Sequence, residues 1–255
     1  RIVELSSQDK RFNLQKIRKN LLGTFEEDKV LSVLNNLREA GLIPDDIHTC
    51  TGEDLSEFRS IGDISLAIIG VGSLTKALKS VCETEKFKTI SVVEYTIKNF
   101  EEKILQVFNE HDFVIVDANQ WSPFHLEIIN DTAVKQNKPW LYISGVNESN
   151  IEIGPLFYGK ETGCYNCLIS RIKSNHAHPQ YLTSYENYLR GLKRPSISNE
   201  LHHDGIIYSL IANFAIYEVV KFIEGWALPI TWQSIVTFNL YNYESTIHML
   251  LKKPL

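Results

Sequence analysis

The sequence has 255 residues, 44% hydrophobic and 22% charged, enough for one or two globular domains with a sizeable core. Its net charge of −5, with acids and bases interspersed, argues against a broad nucleic-acid or anionic-membrane surface. No apolar run approaches the roughly 20 residues that span a bilayer. Four cysteines are too few for a disulfide framework, and Arg1 to Lys10 lack the apolar stretch of a secretory signal. A reducing cytoplasm is the expected location. The chain opens on Arg1 in place of Met, which leaves room for residues upstream.

Residues 1–45 read as a small module. "RIVEL" and "RFNL" are strand-like runs around the polar turn "SSQDK". "QKIRKNLLG" sets Ile17, Leu21 and Leu22 on one helical face and stops at Gly23. In "TFEEDKVLSVLNNLREAGLI", Val30, Val33, Leu34 and Leu37 recur at helical spacing, Thr24 and Glu27 suit a capping box, and Gly41 ends the run. Strands and helices of this size predict a winged-helix-like domain. Residues 46–62, polar and rich in turn formers, read as a linker.

Over residues 63–255 strands and helices alternate. "DISLAIIG", "FKTISVVEY", "DFVIVDAN" and "PWLYISGV" are apolar strands separated by amphipathic helices, which predicts an α/β domain with a mostly parallel sheet. Beyond about residue 145 the pattern is mixed. A helix around "CYNCLISRIKSN" leads into a polar stretch from His176 to Ser198. A long helix, "GIIYSLIANFAIYEVVKFIEG", follows, and "QSIVTFNLYNYESTIHMLL" reads as a closing hairpin turning at "YNYES". The aromatic-rich long helix is expected to serve the core or a homodimer face.

Three stretches bear on chemistry. "IIGVGSLTKAL" places Gly70 and Gly72 where a nucleotide-binding turn would sit, with Thr75 in place of a third glycine. Glu94, at the end of the second strand, is positioned to accept from a ribose hydroxyl. Histidines 176, 178, 202 and 203 are expected to be loop and cap residues, with Asp204 as a cap for the long helix, and not a metal cluster. Cys164 and Cys167 form the only close cysteine pair, open to zinc, redox or unrelated roles.

The stretch "DFVIVDANQWSPFHLEIINDTAVKQNKPWLYIS" resembles the centre of the ThiF/E1-like adenylating enzymes, which activate a carboxylate with ATP. In that family the third strand ends in D-x-x-D-N, whose second aspartate holds magnesium. Asp117 fits the first position, but Gln120 and Trp121 stand where Asp and Asn are expected. A neutral amide does not replace a carboxylate as a ligand for a hard cation. The family's N-x-x-R-Q segment falls in "EYTIKNFEEK", which has no arginine for the phosphates. The resemblance thus implies a kept fold and a lost adenylation chemistry, with no ATP expected.

"IGPLFYGKETGCYNCLISRIKSN" is similar to the G-P-x-x-x-P-G-x-T-x-C-Y-x-C-L-x-x-R-x-x-S-N signature of E1-like proteins of azole and azoline peptide biosynthesis. These include the Ocin-ThiF-like partners of YcaO cyclodehydratases. Gly154, Pro155, Gly159, Thr162, Cys164, Tyr165, Cys167, Leu168, Arg171, Ser174 and Asn175 match, and Tyr158 departs from the usual proline. The family completes a structural zinc site with a second C-x-x-C after the final hairpin. Here Cys164 and Cys167 supply half of such a site, and Cys50 and Cys82 are no obvious second half. The expectation is a further pair in a tail beyond Leu255; the alternative is loss of zinc. A redox role lacks its thioredoxin-like setting.

The resemblance also implies that the N-terminal module recognises the leader of a ribosomal precursor peptide. An edge strand there can accept an extended peptide. Arg11, Phe12, Asn13 and Leu14 form the candidate edge, and Val30, Leu34, Leu37 and Arg38 the candidate groove, unless these apolar residues pack the module's own core. The expected function is a non-catalytic scaffold that delivers the leader to a YcaO cyclodehydratase, with a flavin-dependent azoline dehydrogenase as a further partner, as in thiopeptide or azole bacteriocin biosynthesis. An active adenylating enzyme using Asp117 and Glu94 is the second reading. A dinucleotide-dependent oxidoreductase is the third.

Overall fold

A computed structural model describes residues 60–196 and 204–252. The N-terminal module, its eight candidate peptide contacts, most of the linker, Cys50, His202 and His203 lie outside the described residues.

A short 3-10 turn, Ile61–Asp63, leads into β1 (Ser65–Ile69), α1 (Ser73–Glu85), β2 (Thr89–Val93), α2 (Phe100–Glu110), β3 (Phe113–Asp117), α3 (Pro123–Gln136) and β4 (Pro139–Asn147). Then come β5 (Asn150–Tyr158), α4 (Tyr165–Asn175), α5 (Pro179–Leu192), α6 (Asp204–Glu224), β6 (Ser234–Asn239) and β7 (Ser245–Met249). The sheet order is β2-β1-β3-β4-β5-β6-β7. The first four strands pair parallel, and β5, β6 and β7 extend them by antiparallel pairing, so β6 runs with the parallel block. The expected mostly parallel α/β sheet is therefore present.

Strand side chains alternate between two cores. Ala67, Ile69, Val114, Val116, Trp140 and Tyr142 face α2, α3 and α4, while Leu66, Ile68, Phe113, Ile115, Leu141 and Ile143 face α1 and α6. Both faces of β1, β3 and β4 are covered, which is why those strands read as unbroken apolar runs, whereas the edge strand β2 buries only Val93.

Two elements in the mixed half depart from the sequence pattern. No clear strand signal marks β5, because "NIEIGPLFY" carries Gly and Pro; it nevertheless pairs along β4 with register irregularities. The polar stretch after His176 contains the helix α5. Its apolar side is narrow, with Leu189 buried and Tyr181, Tyr185 and Tyr188 exposed, so helical periodicity was faint in the sequence. The hairpin of β6 and β7 stands where expected, and α6 opens at Asp204.

By length and composition α6 could cross a membrane: Gly205–Glu224 has a mean hydropathy of 1.6. That corrects the expectation that no such segment exists. Ser209, Asn213 and Glu218 interrupt the apolar run without lowering its average enough to matter. In the fold Tyr208, Ile211, Ala212, Ala215, Ile216 and Val219 are buried on one side, as in a core helix. Ile206, Leu210, Phe214 and Tyr217 face outward.

Candidate functional site

Open α/β sheets bind ligands beyond the carboxyl ends of the strands, where the strand order reverses. Here that point lies between β1 and β3, because the chain goes from β1 outward to β2 and returns across it to β3. The sequence-predicted residues Gly70, Gly72 and Asp117 meet there. A Cβ on Gly70 would stand 2.5 Å from Asp117 Cβ and 2.6 Å from Thr75 Oγ1, so this glycine is required by the protein's own side chains. Gly72, at φ +98°, precedes the first turn of α1, and a Cβ there would meet the Gln120 amide nitrogen at 3.7 Å.

Asp117 is 2% exposed. Its Oδ2 accepts the Thr75 hydroxyl at 2.7 Å and its Oδ1 accepts the Asn119 N–H at 3.1 Å. Its backbone carbonyl accepts the Tyr95 hydroxyl at 2.7 Å. Burial pushes the carboxyl up to about 6, and the donors Thr75 and Asn119 pull it part of the way back. The same burial carries Tyr95 well above the usual phenol range, with the nearby Asp117 charge adding to it. Thr75, which the glycine pattern marks only as a lost residue, is thus a donor built into the site.

The loop after β3 is fastened in turn. Asn119 accepts the Val146 N–H at 3.1 Å and donates to the Tyr208 hydroxyl at 3.2 Å, joining β4 and α6 to the end of β3. Trp121 donates from Nε1 to the Tyr165 hydroxyl at 2.8 Å, accepts the Ser196 N–H at 2.8 Å and lies 6.0 Å from the Tyr185 ring. The residue at the expected asparagine position is therefore an anchor for α4, α5 and the segment after α5. Ser122 and His125 form a buried hydrogen bond of 2.6 Å beneath it, and burial takes His125 down to about 4, which holds the ring neutral.

Glu94 stands apart from this network. It lies exposed one residue past β2, accepts the Thr96 hydroxyl at 3.3 Å and lines an open surface depression of about 390 Å³ with Val92, Val93, Ile97 and Lys103.

The cysteine motif is built around α4. Cys164 and Cys167 are half-buried thiols outside any disulfide, with Cys164 Sγ donating to Cys167 Sγ at 3.7 Å. Two thiolates at about 2.3 Å from a tetrahedral zinc would have nearly this separation, so the pair fits two of four donors. Among the described residues no group of three or more His, Cys, Asp or Glu side chains gathers as a metal site. Cys82 is fully buried in α1, with its thiol pushed up to about 12 by that burial. His176 and His178 are exposed and bond locally, His178 N–H to His176 Nδ1 at 3.0 Å.

The rest of the motif has architectural work. Asn130 Oδ1 accepts the Tyr165 N–H at 2.8 Å, capping α4 from α3. Thr162 Oγ1 accepts the Tyr158 N–H at 2.8 Å and donates to the Gly163 carbonyl. Gly154 has φ +92°, and a Cβ there would strike the Ser234 carbonyl at 2.4 Å. A Cβ on Gly163 would stand 3.2 Å from Leu250 and 3.7 Å from Cys167 Cβ, so the chain after β7 runs beside the pair.

No family profile matches the sequence, and no curated protein does. Solved structures do resemble it. E. coli MccB is similar at 15% identity and a TM-score of 0.53, over 76% of this chain and 64% of MccB. The heterocyclase TruD is similar at 21% identity and a TM-score of 0.54, over 95% of this chain and 36% of TruD. A heterocyclase solved in complex with substrate and cofactor aligns over 95% of this chain and 32% of its own length, at 19% identity and a TM-score of 0.54. This chain thus spans under two thirds of MccB and about a third of the heterocyclases, and the likeness is one of fold: E1-like and Rossmann-type.

Proposed function

We propose that this chain is an E1-like scaffold of ribosomal peptide modification, which binds a precursor leader through residues 1–45 and presents the peptide to a YcaO cyclodehydratase. The observation that carries the reading is the state of the switch-point crevice. Its buried carboxylate, Asp117, has each oxygen bonded to Thr75 or Asn119, and Gln120 and Trp121 occupy the positions of a magnesium ligand and its neighbour. That donor set does not fit a magnesium nucleotide, which leaves adenylation without the metal it needs. The fold likeness supports the reading from the other side, since the two heterocyclase structures match 95% of this chain, more than MccB matches.

On this proposal the chemistry belongs to the YcaO partner, with an azoline dehydrogenase acting afterwards. Arg11, Phe12, Asn13 and Leu14 offer the strand edge and Val30, Leu34, Leu37 and Arg38 the groove. The protein works in a reducing cytoplasm, where Cys164 and Cys167 stay thiols able to bind structural zinc with donors from elsewhere. The test joins two assays on the intact chain. Isothermal titration with the precursor peptide encoded beside this gene should show binding, and Arg38→Glu or Leu14→Asp should weaken it at least tenfold. ATP–pyrophosphate exchange with the same peptide should stay at background. Robust exchange, or a peptide that fails to bind, overturns the proposal.

A further inference from the structure

Among the described residues, the outer edge of β7 is an unpaired end of the sheet. All five residues Ser245–Met249 are exposed, Ile247 by 54% and Met249 by 70%. One side of the strand is engaged with β6. The bonds from Asn239 N–H to Glu244 O and from Leu250 N–H to Gln233 O fix the phase of that ladder, so Thr246 and His248 are the hydrogen-bonded partners of Thr237 and Ile235. Ser245, Ile247 and Met249 therefore aim their N–H and C=O groups away from β6. β7 is last in the sheet order, and no described strand pairs with that side. Edge strands are usually blunted by a charge, a proline or a bulge. "STIHMLL", Ser245 to Leu251, has no proline and no formally charged residue, and its pairing with β6 has no register shift.

An open ladder edge specifies its occupant more narrowly than an apolar patch does. N–H and C=O groups at strand spacing are satisfied by another extended strand. The sequence of β7 is complementary to itself. In an antiparallel register centred on Ile247, Ile247 meets Ile247 and Ser245 meets Met249, which pairs every edge-facing group. Just outside the paired strands, Glu244 of one copy and Lys252 of the other bring opposite charges to each end of an uncharged centre, while Lys252 Nζ also donates to the Lys160 carbonyl at 2.8 Å.

We propose that β7 pairs with β7 of a second copy about a two-fold axis, joining two seven-stranded sheets edge to edge. One strand pair is short against the roughly 1,200–2,000 Å² of a stable interface, so the dimer dissociates on dilution. The inference does not depend on leader binding.

Sedimentation of the intact chain across a concentration series tests it. The wild type should pass from monomer to twice the monomer mass. Ile247→Glu and Ile247→Lys each set like charges against each other at the axis, so each alone should remain monomeric with unchanged circular dichroism. Their equimolar mixture should regain the dimer, because Glu then faces Lys. A wild type that is monomeric throughout overturns the proposal, including the case in which hydrogen exchange finds the Ile247 and Met249 amides protected by some other segment. Single variants that dimerise like the wild type, or a mixture that stays monomeric, overturn it equally. Leader titration of both variants reports on the proposed function separately.

Discussion

Replacing Asp117 by Asn removes a charge that the fold buries among hydrogen-bond donors. Burial lifts the carboxyl from 3.8 to about 6, so the folded chain holds this proton more tightly than the unfolded chain does. The difference corresponds to about 3 kcal/mol between the two protonation states. Its sign follows from linkage: the contribution is whole below 3.8 and is lost as the pH rises through about 6. At about pH 7 the wild type therefore carries most of that penalty. An amide does not ionise, and it can accept from Asn119 through Oδ1 and donate from Nδ2 to the Thr75 hydroxyl oxygen, giving up the acceptor of the Thr75 backbone N–H. Asp117→Asn should then exceed the wild type by about 1–3 kcal/mol at pH 7 and match it near pH 4. Urea unfolding followed by circular dichroism, repeated across that pH range, gives the difference, in which the slopes of all other groups cancel. Two parallel stability–pH curves would refute the reasoning. So would an Asp117→Asn protein less stable than the wild type at neutral pH, which would mean that the charge itself is needed.

Thr75→Val deletes the shorter of the two donors on Asp117 and should destabilise the chain by about 1–3 kcal/mol at pH 7, with a smaller loss near pH 4. The same denaturation series reads both. Glu218 is fully buried in α6 and accepts the Thr231 N–H at 2.9 Å, the Thr231 hydroxyl at 3.1 Å and Lys221 Nζ at 2.6 Å. Glu218→Ala leaves those donors without their acceptor and should lower stability by about 3–5 kcal/mol, measured by urea unfolding. Burial raises the Cys164 thiol above its usual range, so iodoacetamide should modify it more slowly than free cysteine at neutral pH and faster as the pH climbs. Peptide mass mapping of the time course would contradict this if Cys164 reacted at the free-thiol rate.

The centre of the parallel block is legible because β1, β3 and β4 are buried on both faces, and double burial writes itself as uninterrupted apolar residues such as Leu66 to Ile69 and Phe113 to Val116. β5 and α5 were not legible. The first pairs through a Gly-Pro segment, and the second buries little beyond Leu189 and the charge-paired Glu186, which takes Lys173 and Arg190. Neither leaves a periodic apolar trace. The site divided in the same way. Gly70, Gly72 and Asp117 stand out because turn glycines and a strand-end acid have characteristic spacing, whereas Glu94, chosen by the same spacing, bonds to its near neighbours Thr96 and Ile97.

By itself, the sequence determined the alternation that makes the sheet, the positions that depart from an adenylating pattern, and a cysteine motif dense enough to suggest a kinship. These are local properties, fixed by side-chain type and spacing along the chain. The tertiary structure alone decided what the departures do. Thr75 reaches Asp117 from 42 residues away, Trp121 reaches Tyr165 from 44, and Asn119 reaches Tyr208 from 89. Hydrogen bonds over such separations exist only once crossovers have brought strand ends together. For that reason the crevice reads as a worn nucleotide site along the chain and as a closed set of bonded side chains in space.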